Sequence, residues 1–236
     1  MRSDHRRNDQ LRPVEIVRHY TKYAEGAVLI SFGATRVLCT ATVDWSLPPF
    51  LRDKGLGWVT AEYGMLPRST DQRTVRDNNK KGRAQEISRL IGRSLRNVVD
   101  RAALGERQII LDCDVIQADG GTRTAAITGA YIALHDALQT LVNSGKIDML
   151  PLYDSCAAVS VGIVDGKVMA DLSYEEDVRA EVDMNVVMRG DGRLIEVQGC
   201  AEGKAFTRTD MDRMMDMAAK ACRRLARIQQ ESLCRA

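Results

Sequence analysis

Two adjacent glycines lie between the clearest strand pattern of the chain and its longest apolar helix pattern. Over residues 108–118 an apolar face alternates with a mixed polar and apolar face, which is the period of a β-strand. Over residues 125–142 apolar side chains recur at spacings of three and four, which is the period of an α-helix. The residues between them are therefore predicted to turn the chain directly from a strand into a helix. They are Gly120, Gly121, Thr122, Arg123 and Thr124.

This glycine turn is a candidate anion site. Glycines let the backbone approach a ligand closely, and the start of a helix offers unpaired amides and the positive end of the helix dipole. Arg123 adds a guanidinium that can donate two hydrogen bonds to a phosphate, and Thr122 adds a hydroxyl. The alternative is a tight turn in which Thr124 caps the helix and Arg123 is solvated. The motif alone leaves both interpretations open.

Composition indicates an ordinary folded protein. The chain has 236 residues, of which 44% are hydrophobic and 28% charged, enough for one large domain or two lobes that share a core. Its six cysteines form no C-x-x-C pair and mostly lie in apolar runs, which predicts buried thiols in a reducing compartment. The chain opens with a polar, basic stretch, and no apolar run reaches membrane-spanning length. We therefore expect a cytoplasmic protein without a membrane partner.

The basic residues are concentrated although the net charge is only +2. Residues 66–107 contain eleven basic and five acidic residues, a distribution that suits a polyanion such as RNA. This region begins with a polar stretch without periodicity, residues 67–82, which predicts a functional loop. An amphipathic helix is predicted over residues 84–104, and a solvated face is the alternative for its arginines. The candidate RNA-binding residues are Arg68, Arg73 and Arg76 in the loop and Arg89, Arg93 and Arg96 on the helix.

The remaining patterns predict an α+β fold. Two halves, about 10–144 and 155–230, each read as strands and hairpins followed by a long helix, and helices should pack on sheets in a single domain spanning residues 1–236. The last helix is predicted over residues 210–230, with Thr209 at its start. The arginine-rich residues 1–13 are predicted to form an extended arm, which is either a flexible terminus or an RNA or partner contact.

Two carboxylates form a second candidate site. Asp177 and Asp183 are six residues apart in an acidic stretch, with Asp183 entering a predicted strand and Asp177 in the loop before it. Two carboxylates near a bound phosphate can hold a hard cation such as Mg²⁺, which neutralises charge on a reacting phosphoryl group. The alternative is an acidic loop that is only solvated.

Long runs of the sequence resemble the ribonuclease PH family, phosphorolytic 3′ exoribonucleases that mature tRNA ends. The resemblance extends over nearly the whole chain. It is carried by residues 8–13 (NDQLRP), 60–70 (TAEYGMLPRST), 86–96 (EISRLIGRSLR), 111–124 (LDCDVIQADGGTRT), 183–187 (DMNVV) and 196–199 (EVQG).

The resemblance implies roles for particular residues. Inorganic phosphate, the co-substrate, would bind Arg83, Gly121, Thr122 and Arg123. Asp177 and Asp183 would be catalytic and would hold a divalent metal ion such as Mg²⁺, by similarity to the related polynucleotide phosphorylases. The basic loop with Arg68, Arg73 and Arg76 would bind tRNA. The family also implies a fold shared with a domain of a small-subunit ribosomal protein and a homo-hexameric ring built as a trimer of dimers.

The implied reaction is phosphorolysis of an RNA 3′ end, with release of nucleoside diphosphates and a reverse reaction that adds nucleotides. A non-catalytic RNA-binding ring subunit is the rival interpretation, because the superfamily contains members that have lost the chemistry. The phosphate and metal residues are all present here, which favours the enzyme. A different nucleotide-binding enzyme fits poorly, because neither G-x-x-x-x-G-K-[ST] nor G-x-G-x-x-G occurs at the turn.

Overall fold

A computed structural model describes residues 2–76 and 82–234 and confirms the predicted α+β fold. In the described residues nine strands form two sheets. The first sheet has the order β1-β2-β3-β5-β4 and the second the order β7-β6-β8-β9. The strands of the first are β1 (Val14–Arg18), β2 (Gly26–Phe32), β3 (Thr35–Asp44), β4 (Trp58–Met65) and β5 (Gln108–Gln117). Those of the second are β6 (Cys156–Val164), β7 (Lys167–Ala170), β8 (Val182–Arg189) and β9 (Leu194–Ala201).

The helices pack on these sheets and between them. They are α1 (Gly82–Arg96), α2 (Arg101–Leu104), α3 (Thr122–Asn143), α4 (Tyr174–Val178) and α5 (Arg208–Cys234), with a short 3₁₀ helix at Pro49–Leu51. The central helix α3 contacts β2, β3 and β5 of the first sheet and β6 of the second. It is buried on nearly every side, as its apolar composition requires. One continuous core therefore joins the two halves.

Strand β5 leads the chain to the glycine turn. It pairs antiparallel with β3 and parallel with β4, so it lies inside the first sheet. Its predicted apolar face, with Ile109, Leu111, Cys113 and Val115, is buried against the helices. The predicted alternation is confirmed, and it determines which face of β5 is buried.

The single helix predicted over residues 84–104 is wrong. Helix α1 ends at Arg96 and α2 begins at Arg101. Between them Val99 forms a β-bridge with Leu152, from a segment far along the chain. The Asp100 carboxylate accepts hydrogen bonds from the amides of Ala102 and Ala103 and so starts a new helix. The apolar period continues through the break because both segments face the same core.

Two predicted helix starts are also corrected. Helix α3 is preceded by Gly121 as its N-cap, so Thr124 lies inside the first turn and donates to the Gly121 carbonyl at 2.9 Å. Helix α5 begins at Arg208 rather than 210. There Thr207 and Asp210 exchange hydrogen bonds between side chains and amides, which is the capping arrangement predicted two residues later.

Within the described residues, the arm predicted at residues 1–13 does not extend away from the fold but packs against the second half. Arg2, Arg6 and Arg12 are buried and bind carboxylates and carbonyls of the second half. No local pattern indicates these partners, because they lie more than 150 residues away in the chain.

Four of the six cysteines are buried, as their apolar surroundings in the sequence predicted. Cys39, Cys113, Cys156 and Cys222 are buried and free, whereas Cys200 and Cys234 are free and exposed. Within residues 2–76 and 82–234, no helix is both long enough and apolar enough to span a membrane.

Candidate active site

One cavity of about 920 Å³ is lined by the glycine turn and by both predicted carboxylates. Arg83, Gly121, Thr122 and Arg123 line it from the first half, and Asp177 and Asp183 line it from the second. The structure therefore brings together all six residues that the sequence assigned to phosphate and metal. A second groove of about 600 Å³, lined by residues such as His135 and Arg223, contains none of them.

The glycine turn depends on conformations and distances that other residues would not allow. Gly120 and Gly121 have φ of 72° and 65°, in the left-handed region that favours glycine. A Cβ on Gly120 would lie 2.6 Å from the carbonyl oxygen of Leu172, so the turn is pressed against the second half. The buried hydroxyl of Thr35 donates to the Gly120 carbonyl at 2.7 Å and accepts from the Asp119 amide at 2.9 Å.

Thr122 begins α3 and is held by a residue of β4. The hydroxyl of Tyr63 and Oγ1 of Thr122 are 2.8 Å apart. Burial raises the pKa of Tyr63 despite this hydrogen bond and the nearby Arg83 and Arg123, so the phenol stays neutral at physiological pH. The side chain of Thr122, which lines the cavity, therefore has a fixed hydrogen-bond partner.

Arg123 is held in place by residues of two other elements. Its Nη1 donates to Oε1 of Gln198 on β9 at 2.8 Å and to Oε1 of Glu86 on α1 at 3.3 Å. Gln198 also donates to the same Glu86 oxygen at 3.4 Å. A guanidinium fixed in this way loses little freedom when it binds an anion, which favours a binding role over a solvated one.

The carboxylate pair is arranged differently from the prediction for Asp177. Asp177 lies in α4 and not in a loop, whereas Asp183 lies in β8 as predicted. Helix α4 is stabilised at its start, where the Ser173 amide donates to Oε2 of Glu176 at 3.0 Å. The sequence Ser173-Tyr174-Glu175-Glu176 has the capping-box spacing, so this helix could have been predicted.

Both carboxylates have raised pKa values. Burial raises the pKa of Asp177, and the positive charges of Arg83 and Arg123 partly oppose it. Burial and the charge of Asp177 raise the pKa of Asp183 to about 6, against the effect of Arg123 and a 3.3 Å hydrogen bond from Asn185. The second oxygen of Asp183 is buried and finds no hydrogen-bond partner among the described residues.

These features suit a cation better than they suit a structural ion pair. Two neighbouring carboxylates repel each other, and an unpaired buried oxygen is costly unless something binds it. In the described part of the chain, no three His, Cys, Asp or Glu side chains are arranged around one point. Two carboxylates would leave most coordination positions to water and substrate, which is how proteins commonly hold Mg²⁺.

The loop arginines lie beside this cavity. Arg68, Arg73 and Arg76 are exposed, and Thr70, Asp71 and Gln72 from the same segment line the cavity. Residues 77–81, which belong to the predicted loop, lie outside the described residues. The RNA-binding role of these arginines stays a prediction.

The three arginines of α1 have different surroundings. Arg89 is exposed, and Arg93 forms an ion pair with Glu196 at 2.6 Å. Arg96 is half-buried, donates to the Val59 carbonyl at 2.7 Å and stacks over Trp58 at 4.1 Å. Their role in RNA binding also stays a prediction, and the contacts of Arg96 give it a packing function as well.

Several residues at the site were not assigned a role from the sequence. They are Tyr63, Glu86, Asn185, Gln198 and Glu202. The first four lie within the runs that resemble ribonuclease PH, so the resemblance marked their segments. Nothing in local spacing indicated that they contact Thr122, Arg123 or Asp183, because those contacts join distant parts of the chain.

The fold and this cavity define a class of RNA-degrading enzyme. Family models described as "3' exoribonuclease family, domain 1" and "3' exoribonuclease family, domain 2" match residues 10–138 and 154–221. The chain belongs to the ribonuclease PH family of phosphorolytic 3′ exoribonucleases. Ribonuclease PH of Moorella thermoacetica is 56% identical over 236 residues, covering 99% of this chain and 94% of the relative.

Solved structures of exosome proteins share the fold. An Archaeoglobus fulgidus exosome with RNA bound to the active site has a TM-score of 0.82 at 22% identity, covering 98% of this chain and 92% of the other. Rice (Oryza sativa) Rrp46 has a TM-score of 0.79 at 18% identity, covering 98% and 100%. At such identities the likeness concerns the fold alone.

Proposed function

We propose that this protein trims the 3′ ends of precursor tRNAs by phosphorolysis. Inorganic phosphate attacks the last phosphodiester, and each cycle releases one nucleoside diphosphate. The observation that carries the proposal is the single cavity shared by the glycine turn and the carboxylate pair. The glycine turn suits the attacking phosphate, and the carboxylate pair suits a metal ion beside the scissile bond.

Phosphate binding is assigned to Arg83, Arg123 and the start of α3. Thr122 and Arg123 occupy the first helical turn, where amide groups and the helix dipole favour an anion. The guanidinium of Arg123, held by Gln198 and Glu86, faces the same cavity. These groups orient the nucleophile and stabilise the negative charge that spreads over the reacting phosphoryl group.

Asp177 and Asp183 would hold the divalent metal ion, for which Mg²⁺ is the proposed identity. When bound, the ion supplies positive charge beside the phosphodiester. The unpaired buried oxygen of Asp183 and the mutual repulsion of the two carboxylates support this assignment. Asn185 orients Asp183 through its hydrogen bond to the other oxygen.

The reaction should run in both directions. A phosphodiester is exchanged for the phosphoanhydride of a nucleoside diphosphate without a covalent enzyme intermediate, so the same groups serve the reverse step. With excess diphosphate and little phosphate, the protein is expected to add nucleotides to an RNA 3′ end.

We extend the proposal to a homo-hexameric ring, a trimer of dimers, in the reducing cytoplasm. The exposed Arg68, Arg73 and Arg76 would then bind the body of a tRNA, from the same subunit or from a neighbour. Membership of the ribonuclease PH family supports the ring, and the four buried free thiols support the reducing compartment. Sedimentation of the purified chain tests the ring.

The decisive experiment uses a 3′-extended tRNA with Mg²⁺, with and without inorganic phosphate, and identifies the released nucleotides. Nucleoside diphosphates that appear only with phosphate are the expected result. Monophosphates released without phosphate would instead mean a hydrolytic nuclease. Tight tRNA binding with no release would favour the non-catalytic ring subunit.

A further inference from the structure

We propose that Arg12 is a positioning residue that holds the glycine turn in register with α4, the helix that carries Asp177. This inference rests on the proposed function, because it concerns the geometry between bound phosphate and the carboxylate pair. Residues 2–12, here named the N-terminal segment, supply this contact and a second one through Arg2. Neither residue lines the cavity.

Arg12 joins two site elements from opposite halves of the chain. On one side its amide, Nε and Nη2 donate to the Asp171 carboxylate, at 2.7, 3.1 and 2.7 Å. On the other side its guanidinium donates to the carbonyls of Asp119, which precedes the turn, and of Gly120, its first residue. A Cβ on Gly121 would lie 3.1 Å from Nη2 of Arg12, so the guanidinium lies directly behind the turn.

Arg2 makes a parallel contact to α4. Its Nε and Nη2 donate to the two oxygens of Glu176, both at 2.7 Å, and Glu176 is adjacent to Asp177 in the helix. The same guanidinium donates to the carbonyls of Ala170 and Asp171 at 2.9 Å. The N-terminal segment therefore fixes both the helix and the strand end that precedes it.

The two site elements also touch each other at this point. The Asp119 carboxylate accepts a hydrogen bond from the Tyr174 amide, at the first residue of α4, at 3.2 Å. Arg12 lies at this junction, binding the Asp119 carbonyl and the Asp171 carboxylate at once. A shift of Arg12 would thus move the turn and α4 relative to each other.

Burial makes these contacts specific. Arg12 and Asp171 are 4% and 0% exposed, so neither charge has water as an alternative partner. Arg12 binds through a planar fork with several donors, which a lysine ammonium cannot reproduce. The arrangement therefore demands arginine for its geometry, in addition to a positive charge.

The test uses two variants and one matched control. Arg12→Lys keeps the charge and loses the fork. The double variant Arg12→Met with Asp171→Asn removes both charges, so it avoids an unpaired buried aspartate if the single variant fails to fold. Arg7→Met is the control, because the Arg7 side chain is 81% exposed and pairs only with exposed Asp9 at 3.3 Å among the ion pairs of the described residues.

Phosphate dependence is the readout that separates positioning from mere stability. Loss of folded protein lowers kcat and leaves KM for phosphate unchanged. A displaced turn should raise KM for phosphate by about tenfold, and because the bound phosphate would then be out of register with Asp177, kcat per folded protein at saturating phosphate should also fall by about tenfold. The control should match wild type in both constants. Unchanged KM for phosphate in the folded variants would overturn the proposal.

A second measurement does not depend on turnover. Inorganic phosphate should raise the Tm of the wild-type protein, and the Arg12 variants should need about ten times more phosphate for the same rise. If wild-type protein shows the Tm rise but releases no diphosphates, the proposed function fails while the positioning role is still tested. Equal phosphate dependence of Tm in wild type and variants would count against Arg12 alone.

Discussion

The hydroxyl of Tyr63 lies 2.8 Å from Oγ1 of Thr122, which joins strand β4 to the first residue of helix α3. Both side chains are buried. Strand β4 thus stabilises the start of α3, where we propose that phosphate binds. The contact orients a hydroxyl that would otherwise rotate freely.

Tyr63→Phe should therefore weaken the use of phosphate. We expect KM for phosphate to rise by about threefold to tenfold, with a loss of about 1 kcal/mol in unfolding free energy from the lost hydrogen bond. The matched control is Tyr131→Phe, which removes the hydroxyl of a buried tyrosine on α3 that lines the second groove and not this cavity. Equal KM values in the two variants would show that Tyr63 has no part in phosphate binding.

Asp183→Asn should nearly abolish turnover and leave RNA binding intact. The substitution keeps the size of the side chain and removes one of the two charges assigned to the metal ion. We expect kcat to fall by at least about 100-fold, with the Kd for tRNA within about twofold of wild type. Asp216→Asn, on the exposed face of α5, is the control and should have full activity. Turnover of Asp183→Asn within a few-fold of wild type would contradict the assignment.

Arg73→Ala should weaken tRNA binding much more than catalysis on a short RNA. An exposed arginine that contacts a phosphate contributes about one unit to the slope of log Kd against log salt concentration. We expect the Kd for tRNA to rise several-fold at low salt and the slope to fall by about one. The comparison is Arg224→Ala, an exposed arginine on α5. Identical salt slopes for both variants and wild type would remove Arg73 from the interface.

Asp136 provides a prediction on acid stability. Its carboxylate accepts hydrogen bonds from Nε and Nη2 of Arg18 at 3.1 and 2.7 Å. Burial raises the pKa of Asp136, but the neighbouring His135 and the hydrogen bonds and positive charge of Arg18 outweigh it, so the pKa lies below the ordinary value of 3.8. Because the pKa of Asp136 is lower in the folded state than in the unfolded state, the ionised carboxylate stabilises the fold. This stabilisation is complete above the pKa of the unfolded state and is lost as the pH falls through the pKa of the folded state.

Asp136→Asn should accordingly lower the Tm most at neutral pH. We expect a cost of about 2–4 kcal/mol there, because the buried ion pair between Asp136 and Arg18 is lost. The difference between wild type and variant should shrink below about pH 4. Thermal unfolding at several pH values tests this, with Asp148→Asn as an exposed control. A difference that stays constant or grows on acidification would contradict the prediction.

The strands and the two long helices were largely predictable because their periods are local. The alternation of residues 108–118 gave β5, and the glycines after it marked the turn. The break between α1 and α2 was not predictable in this way, since it depends on Val99 pairing with Leu152. Tertiary pairing there overrides an uninterrupted helical period.

The charged residues of the site could be predicted from the sequence, but the residues that hold the site in place could not. Resemblance and chemistry together named Arg123 and Asp183, and the structure places both in one cavity. Gln198 contacts Arg123, and Arg12 contacts the Gly120 carbonyl of the glycine turn, in both cases from a distant position in the chain. No local pattern therefore distinguishes these two residues from ordinary polar residues. The arginines of the N-terminal segment were predicted to lie in an extended arm for the same reason.

The unequal exposure of the thiols gives the protein a built-in labelling position. Cys200 is exposed and lies directly opposite Asp183 in the β8–β9 pair, so both side chains lie on the same face of that sheet. A maleimide dye should react with Cys200 and Cys234 and leave the four buried thiols unmodified. With Cys234 replaced by serine, a fluorophore at Cys200 would report the arrival of RNA and metal at the carboxylates in real time.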